Sequence, residues 1–372
     1  MSSSQAQGPV DARTMIAAVS TYYQSRRRRL MQNLSPKQAA AIRSVPYLLH
    51  TNLEGLPGYK DTNLIPRGVA MMSADELVEG MWGELFAQPK PRPEGSAAEL
   101  ESIGLTGEAG TSGQGLETLF QFWVIVASSV PEQGRVALDA KCIQVSEWLR
   151  KTHKLHATFQ VLTAEDVKQG DFGKLTGGAV SRHAVNVVRD RFYAEFFPLA
   201  GKMPIAHITP PPGKGPSYEE VVSMCERGQW GNRSTAMDLG APAPCRHVDL
   251  IHDVLAGLEE SSNSPADLVL PLAVSMVRLR GRMSVQLCEL LKQAMLANPE
   301  EADPFEVAFD LIESGFSDVD PVNQFYLREV FYLKTGAALS RYGSNEPSPG
   351  TRDSRVMQRV KAWGWPPMVL MT

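Results

Sequence analysis

An α+β fold is predicted, with a mixed sheet in the middle of the chain between a helical N-terminal section and a helical C-terminal domain. Three observations predict it. Apolar residues recur at three- and four-residue steps near the start and again from Ser217 almost to the end. Residues 120–126 and 157–162 are short runs rich in β-branched and aromatic residues, which read as strands. Two Pro-rich stretches, 88–98 and 210–216, separate these zones. The expected division is 1–98, 99–212 and 213–372.

The first helix is expected over 10–34, where Ile16, Val19, Tyr23, Leu30 and Leu34 share a periodic pattern. Arg26 to Arg29 lies inside it. Four consecutive helical residues point all the way round, so the run reads as a solvated face with some stems packed. A docking or phosphate-binding patch is the alternative. Ser35-Pro36 caps and opens a second helix, after which Val45 to His50 follows as a separate segment. Ser73 with Glu76 has the capping-box spacing for a third, running to about Phe86. Residues 136–151 form a helix with Val136, Ala140, Ile143 and Trp148 near one face, and Thr163 to Asp166 starts a helical turn. Residues 203–208 suggest a short strand. Beyond Ser217, helices are expected over 265–279, 285–296, 305–312 and 325–339, then a loop over 343–350.

Composition excludes several classes. The chain has 372 residues, 43% hydrophobic and 21% charged, with a net charge of −4. That balance gives no electrostatic footprint for nucleic acid or acidic lipid. No apolar run approaches the roughly 20 residues that span a bilayer, and 1–8 lacks a signal-peptide core. The four cysteines (Cys142, Cys225, Cys245, Cys288) show no C-x-x-C spacing and suit a reducing compartment. A cytoplasmic protein is expected.

Several local motifs fail on chemistry. Gly213-Lys214 lacks the full P-loop spacing. His247 and His252 are five apart, so on a helix they diverge more than a zinc pair at i, i+4, and Cys245 to Asp253 reads as a polar helix start. Ser181-Arg182-His183 has no carboxylate partner, and nothing local supports a Ser-His-Asp hydrolase.

The informative segment runs from Gly107-Glu108 through Gly113-Gln114 to Leu119-Phe120-Gln121-Phe122-Trp123. With other short segments in order, it resembles the bacterial class I adenylate cyclases, whose active-site pattern is G-S-x-x-x-x-G-Q followed by D-L-D-I-W. Gly107, Gly113, Gln114 and Trp123 match without a gap. Val45 to His50, Leu56 to Tyr59 and Pro66 to Gly68 are similar to that family's P-x-L-L-H, P-G-Y and P-[KR]-G series. Phe192-Tyr193, Leu199 to Lys202, Tyr218 to Gly240, Phe331 to Lys334 with Leu339 to Arg341, and Trp363 to Trp365 continue the run. The resemblance spans the family's catalytic half, not its C-terminal regulatory half. It also favours a helix over 183–197.

That resemblance implies a nucleotidyltransferase-like middle domain. In the family, Asp-x-Asp holds divalent metal ions, because residues i and i+2 of a strand face one side. Here those positions carry Leu119 and Gln121, and Glu108 stands where the Ser would be. Thr163 takes the place of a further carboxylate. Glu108 sets negative charge where a triphosphate would lie. The expectation is a catalytically inactive cyclase-like protein, a regulatory or binding module with a protein partner or a nucleotide held without turnover. No metal or cofactor is expected. The alternative is an active enzyme making cyclic AMP from ATP and magnesium through displaced carboxylates, Glu117 among them with Glu108.

Overall fold

A computed structural model describes residues 9–88, 98–115, 117–172, 184–260, 265–281, 286–316, 321–342 and 345–365. Helices α1 (Ala12–Gln32), α2 (Pro36–His50) and α3 (Glu76–Leu85) come first. Asp11 caps α1, and Ser35 with Gln38 forms a capping box on α2. Strands β1 (Leu100–Thr106) and β2 (Phe120–Val126) then flank the glycine loop. Helix α4 (Glu132–His153), strand β3 (Ala157–Thr163), helices α5 (Ala164–Gln169) and α6 (Val185–Glu195) and strand β4 (Phe197–Gly201) complete the middle.

The sheet order is β3-β2-β1-β4. β2 and β3 are parallel, because α4 carries the chain back between them, and the other pairs are antiparallel. Alternate residues of β2 serve two cores. Phe120, Phe122, Val124 and Val126 join α1, α2 and α4, while Trp123 and Ile125 meet Phe172 and α6. The apolar faces of α1 and α2 are thus buried directly on the sheet.

A short β5 (Met203–Pro204) pairs with β6 (Ala236–Met237), with α7 (Ile205–Ile208) and α8 (Tyr218–Glu226) between them. The remainder is helical: α9 (His247–Glu260), α10 (Pro265–Leu279), α11 (Leu287–Ala297), α12 (Pro304–Gly315), α13 (Pro321–Thr335) and α14 (Arg352–Ala362). Phe309, Phe331 and Trp363 form an aromatic centre for this part.

The mixed α+β architecture with helical ends agrees with the sequence reading, and four local expectations need correction. Val45 to His50 is the last part of α2 rather than a segment following it; Pro46 is accommodated inside the helix among buried Val45, Leu48 and Leu49. The third helix is capped by Asp75, not Ser73: Asp75 accepts from the amides of Leu77 and Val78 and also pairs with Arg43 at 2.6 Å. On α4 the buried face is Leu138, Cys142, Val145 and Leu149, whereas Val136 and Ile143 face solvent. Both sets have helical spacing, and contact with the sheet selects between them. Residues 203–208 are two strand residues followed by the turn of α7. Strands β1 and β4 are added to those read from the sequence. Most of 88–98, Ser181-Arg182-His183 and 343–344 lie outside the described residues.

Candidate functional site

The glycine loop joins β1 to β2 and lies against α1, α6 and α12. Gly107 has φ +72 and Gly110 φ +69, backbone that glycine adopts freely. At Gly110 a Cβ would also stand 2.5 Å from the Arg26 carbonyl oxygen. The loop's shape therefore depends on close approach to α1.

The loop's amides are turned to the protein's own acceptors. Gly107 N–H donates to Glu195 Oε2 at 3.0 Å, and Ser112 N–H donates to Asp303 Oδ2 at 2.8 Å. Gly110 N–H donates to Gln114 Oε1 at 2.7 Å, and Gly113 N–H to Thr111 Oγ1 at 3.1 Å. Thr111 N–H reaches the Glu108 carbonyl at 3.0 Å. Ser112 Oγ adds a 2.8 Å bond to Glu306.

The carbonyls are held from the other side by the arginine run. Arg26 is buried and donates through Nε (3.2 Å) and Nη2 to the Ala109 carbonyl. Arg29 is also buried and reaches Gly110 O at 3.1 Å, Glu300 O and Ala302 O. Arg27 holds Pro198 O on β4 at 2.6 Å. The run is thus largely an internal clamp, rather than a solvated face or a docking patch. Burial alone would raise Asp303, but Arg29, Arg355 and Arg26 with the Ser112 amide bring it below the usual carboxylate range.

The predicted site residues fall as follows. Gln121 lies in β2 opposite Thr106, whose hydroxyl donates to Gln121 Oε1 at 3.3 Å. The same hydroxyl accepts from Trp123 Nε1 at 2.9 Å. Leu119 precedes β2 and is about one-third exposed. Glu108 pairs with Lys334 of α13 at 2.7 Å. Glu117 is exposed. Thr163 caps α5, accepting from Asp166 N–H at 3.0 Å. Magnesium takes hard oxygen ligands. Leu119 offers none, and Gln121 offers one neutral carbonyl already engaged by Thr106, so these positions do not fit that metal. Among the described residues, no three His, Cys, Asp or Glu side chains gather as a metal site.

Beside the loop is a cavity of about 160 Å³, bounded by Gly107, Glu108, Glu195, Val274, Phe305 and Lys334 among others. Its far walls are apolar. Burial raises the pKa of Glu195 there, with Arg191 and the Gly107 amide acting the other way. A second cavity of about 300 Å³ lies by α4 and β3 and reaches Gln121. Sequence reasoning reached Glu108, Leu119 and Gln121 but missed the roles of Glu195, Asp303 and Lys334, which are distant from the loop in the chain; Lys334 lies in the Phe331 to Lys334 segment, yet nothing local marks it as the partner of Glu108. The arginine run was the one available signal for the clamp.

A small mixed sheet with a glycine loop leading into one of its inner strands, closed over by helices from the C-terminal part, defines a mixed α+β protein. The chain belongs to the family whose model is described as the Adenylate cyclase NT domain, which matches residues 11–206. It is 23% identical over 356 residues to the adenylate cyclase of Escherichia coli (strain K12), covering 91% of this chain and 40% of that protein. It is 23% identical over 337 residues to the adenylate cyclase of Proteus mirabilis, covering 86% of this chain and 38% of that protein. The chain therefore spans about 40% or less of the length of these relatives. No solved structure matches it. Among the described residues, no helix is long and apolar enough to cross a membrane.

Proposed function

We propose that this chain is a non-catalytic relative of adenylate cyclases, acting in the cytoplasm as a regulatory or binding module. The observation that carries the reading is the state of the glycine loop. A phosphate-binding loop needs free amides and an adjoining positive field. Here Glu195 and Asp303 take amides of that loop, and Glu108 adds a third carboxylate at its start.

The loss of ligands at Leu119 and Gln121 supports the same conclusion from the metal side. The residues that match the family pattern are ones that shape the loop. Gln114 bridges Gly110 N–H and the Leu30 carbonyl, and Trp123 holds Thr106. On this reading the scaffold is kept for recognition of a protein partner rather than nucleic acid, with no metal or cofactor required. The displaced-carboxylate alternative would need Glu108, which is committed to Lys334.

Purified protein incubated with ATP and magnesium or manganese is expected to form no cyclic AMP or pyrophosphate above background. Robust turnover abolished by Glu117→Gln would overturn the proposal in favour of the active enzyme. Calorimetry with ATP, with and without metal, tests retention of nucleotide separately.

A further inference from the structure

The cavity of about 160 Å³ beside the glycine loop has two kinds of lining. One is hydrocarbon: Val187 of α6, Leu270 and Val274 of α10, Leu287 of α11, and Phe305 and Ile312 of α12. The other is ionic: Glu108, Arg191, Glu195, Arg278 and Lys334.

The basic groups of the ionic lining each have an acidic partner. Arg191 holds both oxygens of Asp253, at 3.0 and 3.2 Å. Arg278 pairs with Asp190, and Lys334 pairs with Glu108 at 2.7 Å. Glu195 differs. Arg191 stands one turn before it on α6, but that guanidinium is turned to Asp253. Among the described residues, no cation forms an ion pair with Glu195. Its Oε2 accepts from the Gly107 amide at 3.0 Å, whereas Oε1 has no hydrogen-bond partner among the described residues and is not sealed from solvent.

A carboxylate so placed is costly unless a positive group meets it. Burial raises the Glu195 pKa, which is the mark of that cost. An anion is opposed by the same charge. A bare metal ion would want several oxygen ligands, and most of this lining is hydrocarbon. The ligand that suits both linings is a cation that carries hydrocarbon. Its size is bounded too, since an apolar cavity of about 150 Å³ holds one benzene ring.

We propose that this cavity binds a small organic amine, with its protonated nitrogen on Glu195 Oε1 and one six-membered ring, or a branched chain of that size, among Val274, Leu287 and Phe305. This ligand adds to the binding-module reading and rests on it only for the loop's closure to triphosphate.

A titration of the full chain followed by ligand-observed NMR tests this with benzylamine, and with benzyl alcohol and benzoate as its neutral and anionic counterparts. Benzylamine is expected to saturate at or below about a millimolar, and about tenfold more tightly than benzyl alcohol, the scale of a charge-assisted hydrogen bond. Benzoate should not bind. Glu195→Gln keeps an acceptor for the Gly107 amide and removes the charge, so it should weaken benzylamine about tenfold and leave benzyl alcohol unchanged. Ala308→Leu, on the α12 wall, fills the space and should abolish binding of both, with circular dichroism unchanged. A wild type that binds no benzylamine overturns the proposal. So does equal affinity for benzyl alcohol, indifference to Glu195→Gln or indifference to Ala308→Leu. Nα-acetyl-lysine amide carries the same ammonium on a protein side chain without the ring, and should compete about tenfold less well. Equal competition would overturn the small-molecule assignment in favour of a partner's lysine. Cyclic AMP formation is measured without amine, so failure of amine binding would leave the non-catalytic reading standing.

Discussion

The amide of Gly107 donates a 3.0 Å hydrogen bond to the carboxylate of Glu195, 88 residues away at the end of α6. An amide at the start of such a loop is a natural contact for a phosphate oxygen. An internal carboxylate here occupies the donor and repels the ligand. Calorimetry should therefore find no ATP binding to the wild type. The double variant Glu108→Ser/Glu195→Ala should gain measurable affinity, at least about tenfold above the detection limit. It should also lose about 1–3 kcal/mol of stability, from the amide left unpaired. A double variant that binds no better than wild type would show that other groups close the site.

Placing carboxylates at positions 119 and 121 should not by itself produce cyclase chemistry. Leu119→Asp/Gln121→Asp supplies carboxylates, yet Glu195 and Asp303 still hold loop amides and Glu108 still faces the cleft. Cyclic AMP measured by chromatography after incubation with ATP and magnesium should stay at background. Clear product formation would mean that the loop is open to triphosphate.

Arg26 should be a stability residue. It is fully buried and joins α1 to the loop through the Ala109 carbonyl, with Nη1 on Tyr22 at 2.8 Å. Arg26→Ala is expected to cost about 3–5 kcal/mol in denaturant unfolding, from unpaired buried groups and a cavity. Arg26→Lys should recover little, because an ammonium cannot reproduce the planar fork. A loss below about 1 kcal/mol, the scale of a surface contact, would show that α1 does not brace the loop.

Acid should destabilise the protein through His207. Its Nε2 lies 2.8 Å from the Tyr193 carbonyl, which can only accept, so Nε2 carries the proton and Nδ1 accepts from the Tyr23 hydroxyl. Burial lowers its pKa to about 3. The unfolded chain, with a histidine near the usual 6.5, binds the proton first. This contribution to stability is complete above that value. It declines by about 1.4 kcal/mol per pH unit as the pH falls toward the folded pKa. His207→Gln should flatten that slope in urea unfolding between neutral and mildly acidic pH. An unchanged slope would place the acid sensitivity elsewhere.

Much of the fold was legible locally. The bounds of β2 and α10 agree with the periodic segments read from the sequence, and the caps at Ser35 and Thr163 sit where short polar side chains precede helical turns. β1 was missed because Ser102 and Gly104 interrupt its apolar pattern; Gly104 leaves room for Phe196, which a Cβ would meet at 2.5 Å. The face of α4 was misread because Val136 and Ile143 have helical spacing as good as that of Leu138 and Val145. Only the sheet chooses between two apolar faces.

The same division holds at the site. Sequence alone determined that Leu119 and Gln121 offer no carboxylate to a metal, because residue identity and spacing decide which oxygens a strand can offer. It also determined that Glu108 brings negative charge to the loop. Only the tertiary structure decided what those changes accompany: Glu108 meets Lys334, Gly107 meets Glu195, Ser112 meets Asp303, and Arg26 and Arg29 hold the carbonyls. Hydrogen bonds and ion pairs act over about 3 Å in space, and no local pattern in the chain encodes which residues, tens to hundreds of positions apart, folding will bring within that reach.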